Sequence, residues 1–410
     1  MANSTSIKAL YQALDFEHAL DLDDPADQRL YVADLHSEDG LSPVDEMRAS
    51  IEMSLRPGTW LFTGHRGVGK STELRRMAHD LRAKGGFYVV VADMDKRINL
   101  AEPIKIETLL VSLAAALADQ IDHDLGGQRA KGHLAGRLWD WLTRTEVNLT
   151  ALNAKFGEAG FTATLRDNPS FRAQVQSALE SSTGTWFEQV KAFIQEAVHD
   201  VRLRRGEPTQ VVLVLDSLER LRVSGTNAKD CYEAIVQTFD VNGHYLKLDH
   251  VHAVYSVPPF LPYLVPRVGG YFGVEVYKLP HVKVFTTPDL LLGAQAVMPN
   301  PTGIAGMVQS IVKRYPAVDE LMPRAVLERL ALASSASWRS CASANTLTWF
   351  CCKVPDGQST SDLRSIRRPH RTVLRPDLTL LFRLLCSLHP PALFGSSTSL
   401  RSLGLFDSLI

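Results

Sequence analysis

Gly64-His65-Arg66-Gly67-Val68-Gly69-Lys70-Ser71-Thr72 fits the pattern G-x-x-x-x-G-K-[ST]. In that pattern the glycines let the backbone turn tightly, so that its N–H groups converge on a polyphosphate. Lys70 is placed to reach the β and γ oxygens, and the Ser71 hydroxyl to take one Mg²⁺ position. The flanks agree. Thr59-Trp60-Leu61-Phe62-Thr63 is aromatic and β-branched, a good buried strand. Lys70 to Arg82 reads as a helix, with Leu74, Met77, Ala78 and Leu81 three and four residues apart, and Gly85-Gly86 stops it. Strand, loop and helix then aim a helix N-terminus at the anion. At ordinary glycine usage (about 7%), a chain this long matches the pattern by chance in roughly one or two per cent of cases. A glycine-rich turn that binds nothing is the weaker reading.

A second element completes the phosphate site. Gln210-Val211-Val212-Leu213-Val214-Leu215-Asp216-Ser217-Leu218-Glu219 is an apolar strand ending in an acid, the Walker B pattern. A buried strand pushes one carboxylate out at its C-terminal edge, where Asp216 can hold Mg²⁺ opposite Ser71. Glu219 follows at a distance a turn can span, and is the candidate to orient or deprotonate an attacking water. Its competing role is a surface ion pair with Arg220 or Arg222. The facing of the two segments across one metal suggests adjacent strands. Gly86 to Asp93 reads as a further strand between them in the chain, a spacing that in P-loop proteins puts an added strand between them in the sheet. Asp249 to Ser256 and Val274 to Pro280 supply two more strands. Ser256 is a candidate to sense the γ-phosphate or the water, or else a turn residue before Val257-Pro258-Pro259.

The rest of the chain is organised around this core. Residues 15–46 are acidic and read as a solvated surface segment. Ser42-Pro43-Val44-Asp45 starts a helix, with Val44, Met47, Ile51 and Leu55 as its apolar stripe. Residues 1–57 therefore form an N-terminal segment, and 58–285 the core. Glu107 to Ile121 is a helix. Residues 122–207 read as a mostly helical insertion, and 286–332 as a small helical lid. Past Glu328 the remaining 82 residues hold no Glu and one Lys, and apolar periodicity fades, so 333–410 reads as an irregular tail. Two explanations stay open: a reading-frame shift near 333–340, or a disordered basic linker or partner-binding tail.

The chain has 410 residues, a net charge of −1, 45% hydrophobic and 22% charged residues, room for two or three domains and no bulk attraction to nucleic acid or anionic membrane. The N-terminus lacks a signal-peptide layout, and the uncharged runs near 251–266 and 290–312 are broken by prolines, so no membrane span is expected. Five cysteines with no C-x-x-C fit a reducing cytoplasm, and Cys341, Cys351, Cys352 and Cys386 lack metal-ligand spacing.

The two phosphate-site motifs resemble those of bacterial AAA-type ATPases near the origin-recognition and signal-transduction (STAND, NACHT-like) groups, over roughly residues 25–330. The resemblance implies an α/β fold, a doubly wound, mostly parallel P-loop NTPase sheet of the subclass with a catalytic Glu, under a helical lid. It implies ATP, since no Asn-Lys-x-Asp guanine motif is present, and a nucleotide state that drives conformational change or self-assembly. Two features depart from the pattern. Arg220 stands where the NACHT pattern has a second acid. The lid helix start reads Ala333 to Arg339 in place of Gly-Gly-x-x-Arg. Arg339, Arg267, Arg314 and Arg324 are the candidate sensor or finger arginines, each with a surface role as the alternative.

The expectation is a Mg²⁺-dependent ATPase, with Lys70 and Glu219 as catalytic residues. The alternatives are an ATP/ADP-gated interaction switch with little turnover, working through self-assembly or a protein partner, and a DNA-handling ATPase. The last lacks the basic winged helix it needs.

Overall fold

Strands β1 (Thr59–Gly64) and β4 (Val251–Ser256) are buried at every position, and β3 (Gln210–Asp216) at all but its first. Such runs need cover on both faces, which a parallel sheet between helix layers provides. The computed structural model describes residues 4–15, 18–37, 41–125, 134, 137–138, 185–222, 227–286 and 298–333. In it, these three strands join β2 (Phe87–Asp93) and β5 (Val276–Leu279) in one all-parallel sheet of order β2-β3-β4-β1-β5.

Alternation along the strands divides the core. Val90, Leu213, Ala253 and Leu61 face α5 (Ile106–Leu125) and α6 (Thr185–Arg205), while Val89, Val214, Val254 and Phe62 face α3 (Pro43–Met53) and α4 (Lys70–Lys84). α6 lies in the stretch read as an insertion. Yet Val190, Ile194, Ala197 and Val201 are buried in the sheet's own cover, beside α5. The remainder of 126–184, apart from three isolated positions, lies outside the described residues, as does the tail from 334.

The two phosphate-site strands are not neighbours, because β4 separates β1 from β3. The expectation of adjacency fails, and an added strand does intervene. That strand is 251–256, whereas 87–93 lies at the far edge. The C-terminal ends of β1, β4 and β3 nonetheless open on the same side, as all-parallel pairing requires.

Two further expectations are corrected. The acidic stretch before residue 42 is not merely solvated surface. Leu20, Leu22, Val32, His36 and even Asp27 are buried, around α2 (Pro25–Leu30). Two of its acids are engaged locally and one at a distance: Asp24 caps α2, Asp27 accepts from the Asp21 amide at 2.8 Å and His18 at 2.9 Å, and Asp23 pairs with His79 and Arg82. Leu55, expected in the apolar stripe of α3, is 99% exposed, because the helix ends at Met53. Ser42 does cap α3, accepting from the Asp45 amide at 3.2 Å.

α7 (Ala228–Val236) lies between β3 and β4 in the chain, and α8 (Leu261–Leu264) and α9 (Val268–Phe272) follow β4. Beyond β5, α10 (Pro301–Arg314), α11 (Val318–Leu321) and α12 (Arg324–Ala333) form a helical group. α10 packs on α2, and α11 on α1 (Ser4–Ala13), so the N-terminal helices and this group stand together beside the sheet. No helix among the described residues is long and apolar enough to cross a membrane.

Candidate functional site

The loop after β1 takes its shape from glycine. Gly67 and Gly69 have φ of +83° and +103°, where a side chain strains the backbone. Gly64 lies so close to β5 that a Cβ would sit 3.0 Å from the Leu279 carbonyl oxygen. Gly69 is the N-cap of α4 and no side chain caps that end. The first N–H groups of the helix are therefore left for an outside acceptor.

Lys70 is buried at the centre of the loop. Its Nζ donates to the carbonyls of Gly64 and His65, each at 2.9 Å, and lies 3.1 Å from Glu219 Oε1. Glu219 is thus not the surface partner of Arg220 or Arg222. Its side chain is 6% exposed, and its Oε2 is buried with no hydrogen-bond partner. Arg222 pairs with Asp95 at 2.9 Å. Arg220 Nη2 donates instead to Ser71 Oγ at 3.1 Å. Ser71 in turn hydrogen-bonds the Asp216 carboxylate.

Burial, then the nearby charge of Glu219 and, less, Asp93, pushes Asp216 from 3.8 up to about 6, against the opposing pull of Ser71 and Arg220. Asp93 is the register partner of Asp216 across β2 and β3. A sharp turn follows. Ser217 has φ +73°, its amide donates to Asp216 Oδ1 at 2.7 Å, and the Arg220 amide closes back on the Ser217 carbonyl at 3.0 Å. This turn is what brings Glu219 back over Lys70. Ser256 underpins it. Its hydroxyl is fully buried and accepts from the Leu218 amide at 3.1 Å. Ser256 therefore holds the turn and does not line the cleft.

A cleft of about 590 Å³ opens over these groups. Arg66 to Glu73 line it, with Asp216, Glu219 and Arg220. A further wall comes from His18, Leu20, Tyr31, Leu35 and His36 of the N-terminal segment, together with Met307, Ser310 and Arg314 of α10. Gly64 and His65 do not line it; they contribute the carbonyls that hold Lys70. Val68 is buried against the core, so only its backbone is available. The Thr72 hydroxyl accepts from the Leu20 amide at 3.2 Å. Tyr31 donates to Glu73 at 2.9 Å, and His36 Nδ1 bonds the Pro280 carbonyl at 3.0 Å, so this wall is tied to the loop's surroundings. A larger cleft, about 790 Å³, runs beside β2 and includes none of residues 64–72.

Of the candidate arginines, Arg314 lines the cleft, Arg267 and Arg324 are exposed, and Arg339 lies outside the described residues. Three contributors escaped the sequence reading: the N-terminal wall, Arg220 on Ser71, and Asp93 beside Asp216. Only Asp93 left a signal, since its strand ends in an acid just as β3 does.

Among the described residues, no group of three or more His, Cys, Asp or Glu could hold a metal unaided. A hydroxyl and one carboxylate are nonetheless the donor set a phosphate-bound Mg²⁺ uses. Asp216, buried at the strand end beside Ser71, fits that set. No known family model matches this chain, and no curated protein matches it.

Proposed function

We propose that this chain binds ATP with Mg²⁺ at residues 64–72 and hydrolyses it slowly, coupling nucleotide state to conformation or assembly. One observation carries the reading. An uncapped helix N-terminus, a buried lysine, and a serine hydrogen-bonded to a buried aspartate converge in one cleft at the C-terminal ends of parallel strands. Ligands of open parallel sheets bind at that edge. The strand order, with β4 between β1 and β3, supports the P-loop NTPase reading with a catalytic acid.

The amides from Gly67 to Thr72 and the Lys70 ammonium would take the phosphates. Ser71 and Asp216 would hold the metal, which supplies charge neutralisation at the transferring phosphoryl group. Lys70 holds Glu219 in the cleft; once its ammonium is engaged elsewhere, Glu219 is the base closest to hand for a water. The wall of His18, Leu20, Tyr31 and α10 is the place for the base and ribose.

The second reading, an ATP/ADP switch with negligible turnover, draws on the same ion pair, because a glutamate held by Lys70 is a poor base. Glu219→Gln separates the two. In the ATPase reading, hydrolysis by the full chain falls at least about a hundredfold while ATP binding persists. In the switch reading neither changes. Failure of the wild-type chain to bind ATP at all would overturn both.

A further inference from the structure

Arg220 lies where a divalent ion belongs. Its Nη2 is 3.1 Å from Ser71 Oγ, the hydroxyl the loop pattern assigns to the metal. Its charge also acts on Asp216, the other metal candidate. Lys70 is engaged with the Gly64 and His65 carbonyls and Glu219, and Arg222 with Asp95. Arg66, Arg75, Lys96 and Arg314 also line the cleft, but the hydrogen bond to Ser71 comes from Arg220. The backbone position of Arg220 is set by the chain itself, through the hydrogen bond its N–H donates to the Ser217 carbonyl and the strained turn behind it. A guanidinium is always charged and offers five donors, so Nη2 can stay on Ser71 while the others meet phosphate oxygens. An ion binding Ser71 would have to take the space Nη2 fills.

We propose that Arg220 is an internal counter-cation standing in for Mg²⁺ beside Ser71 and Asp216, so that this chain takes up ATP with little dependence on divalent metal. The inference rests on the nucleotide-binding part of the reading above and revises its metal step: Mg²⁺ reaches Ser71 and Asp216 only by displacing Arg220. It makes Arg220 a specificity-determining residue for metal-free nucleotide, with Mg²⁺ competing against it.

Isothermal titration of ATP into the full chain, once in excess EDTA and once in Mg²⁺, tests this with no activity measurement. Wild-type affinities in the two buffers should agree within about threefold. In Arg220→Ala the EDTA affinity should drop at least about tenfold relative to the Mg²⁺ affinity, as expected for loss of a charged donor. Arg220→Gln keeps part of the side chain and a neutral donor without the charge, should behave alike, and serves if the alanine variant fails to fold. An EDTA-to-Mg²⁺ ratio equal in wild type and variants overturns the role of Arg220. So does a wild-type chain that binds ATP only with Mg²⁺, which leaves the ATP reading intact. Wild type that binds in neither buffer overturns the ATP reading and Arg220 with it.

Discussion

The loop at 64–72 and the turn at 216–220 face each other across the cleft, and they are built on opposite principles. The loop is shaped by backbone: glycines supply its positive φ angles, and its donors are amides and one lysine. The turn is shaped by side chains. Ser217 takes a positive φ without being glycine, and Asp216, Glu219 and Arg220 are each held by a group on the loop, as Leu218 is by β4. Loop geometry therefore follows from local residues, whereas turn geometry exists only once distant strands have assembled. The two regions meet through Lys70 with Glu219, and through Ser71 with both Arg220 and Asp216.

The largest expected effect comes from cutting the first of these. Lys70→Met removes the cation from a carboxylate whose side chain is 6% exposed and whose second oxygen already lacks a partner. An orphaned buried charge costs about 3–5 kcal/mol, readable as a lower midpoint in denaturant unfolding. ATP binding should vanish in the same protein. Adding Glu219→Gln should restore most of the stability and none of the binding. A single variant as stable as wild type would mean that the ion pair does not join the two regions.

Asp216→Asn addresses the charge of the turn itself. Burial and the Glu219 charge raise the Asp216 pKa from 3.8 to about 6. The folded pKa lies above the unfolded one, so the ionised group costs stability at pH 8, and the cost fades as pH falls through about 6 toward 4. Metal-free Asp216→Asn should be more stable than wild type by up to about 3 kcal/mol at pH 8. That gap should shrink to about 1 kcal/mol by pH 4.5 and close only below about 3.8, and measuring the difference cancels the opposing titration of buried His252, whose pKa burial lowers to about 4. A gap independent of pH would place the strain elsewhere than on the carboxylate.

The asymmetry also explains what could be read from the chain. Gly64, Gly67, Gly69 and Lys70 announce their loop because each is needed by its own local geometry. The strand ending in Asp216 is legible for the same reason, as an unbroken apolar run closed by an acid. The spacing of Glu219 after Asp216 already offers a turn toward the site, but the partners, Ser71 for Arg220 and Lys70 for Glu219, lie about 150 positions away, and nothing in Ser217-Leu218-Glu219-Arg220 signals them. The N-terminal wall was hidden by composition. Its acids look solvated, yet Asp24 caps a helix, Asp27 is held by a histidine and an amide, and Asp23 pairs with His79 and Arg82; Leu20, Leu22 and Val32 are few enough to escape a periodicity count.

Ser256→Ala tests the support under the turn. It leaves the Leu218 amide, otherwise satisfied at 3.1 Å by Ser256 Oγ, buried without an acceptor. The expected loss is about 1–2 kcal/mol by thermal unfolding. ATP binding should weaken only through displacement of Glu219 and Arg220, so the EDTA and Mg²⁺ affinities should move unequally. Equal losses in both buffers would mean that Ser256 touches the phosphates directly, as the strand-end position suggested.

The smallest effect has the opposite sign. Ser217 holds φ at +73°, and its hydroxyl is buried with no hydrogen-bond partner. Replacing it by glycine removes the Cβ clash of the left-handed region and the stranded hydroxyl together. The added freedom of glycine in the unfolded chain works against this. With strain of about 1–2 kcal/mol relieved, Ser217→Gly should stabilise the chain by about 1 kcal/mol, seen as a raised unfolding midpoint. The corresponding change on the other side of the cleft, Gly69→Ala at φ +103°, should destabilise by a similar amount. Opposite signs at these two positions are what a backbone-built loop facing a strained, charge-held turn requires, and like signs would erase the distinction between them.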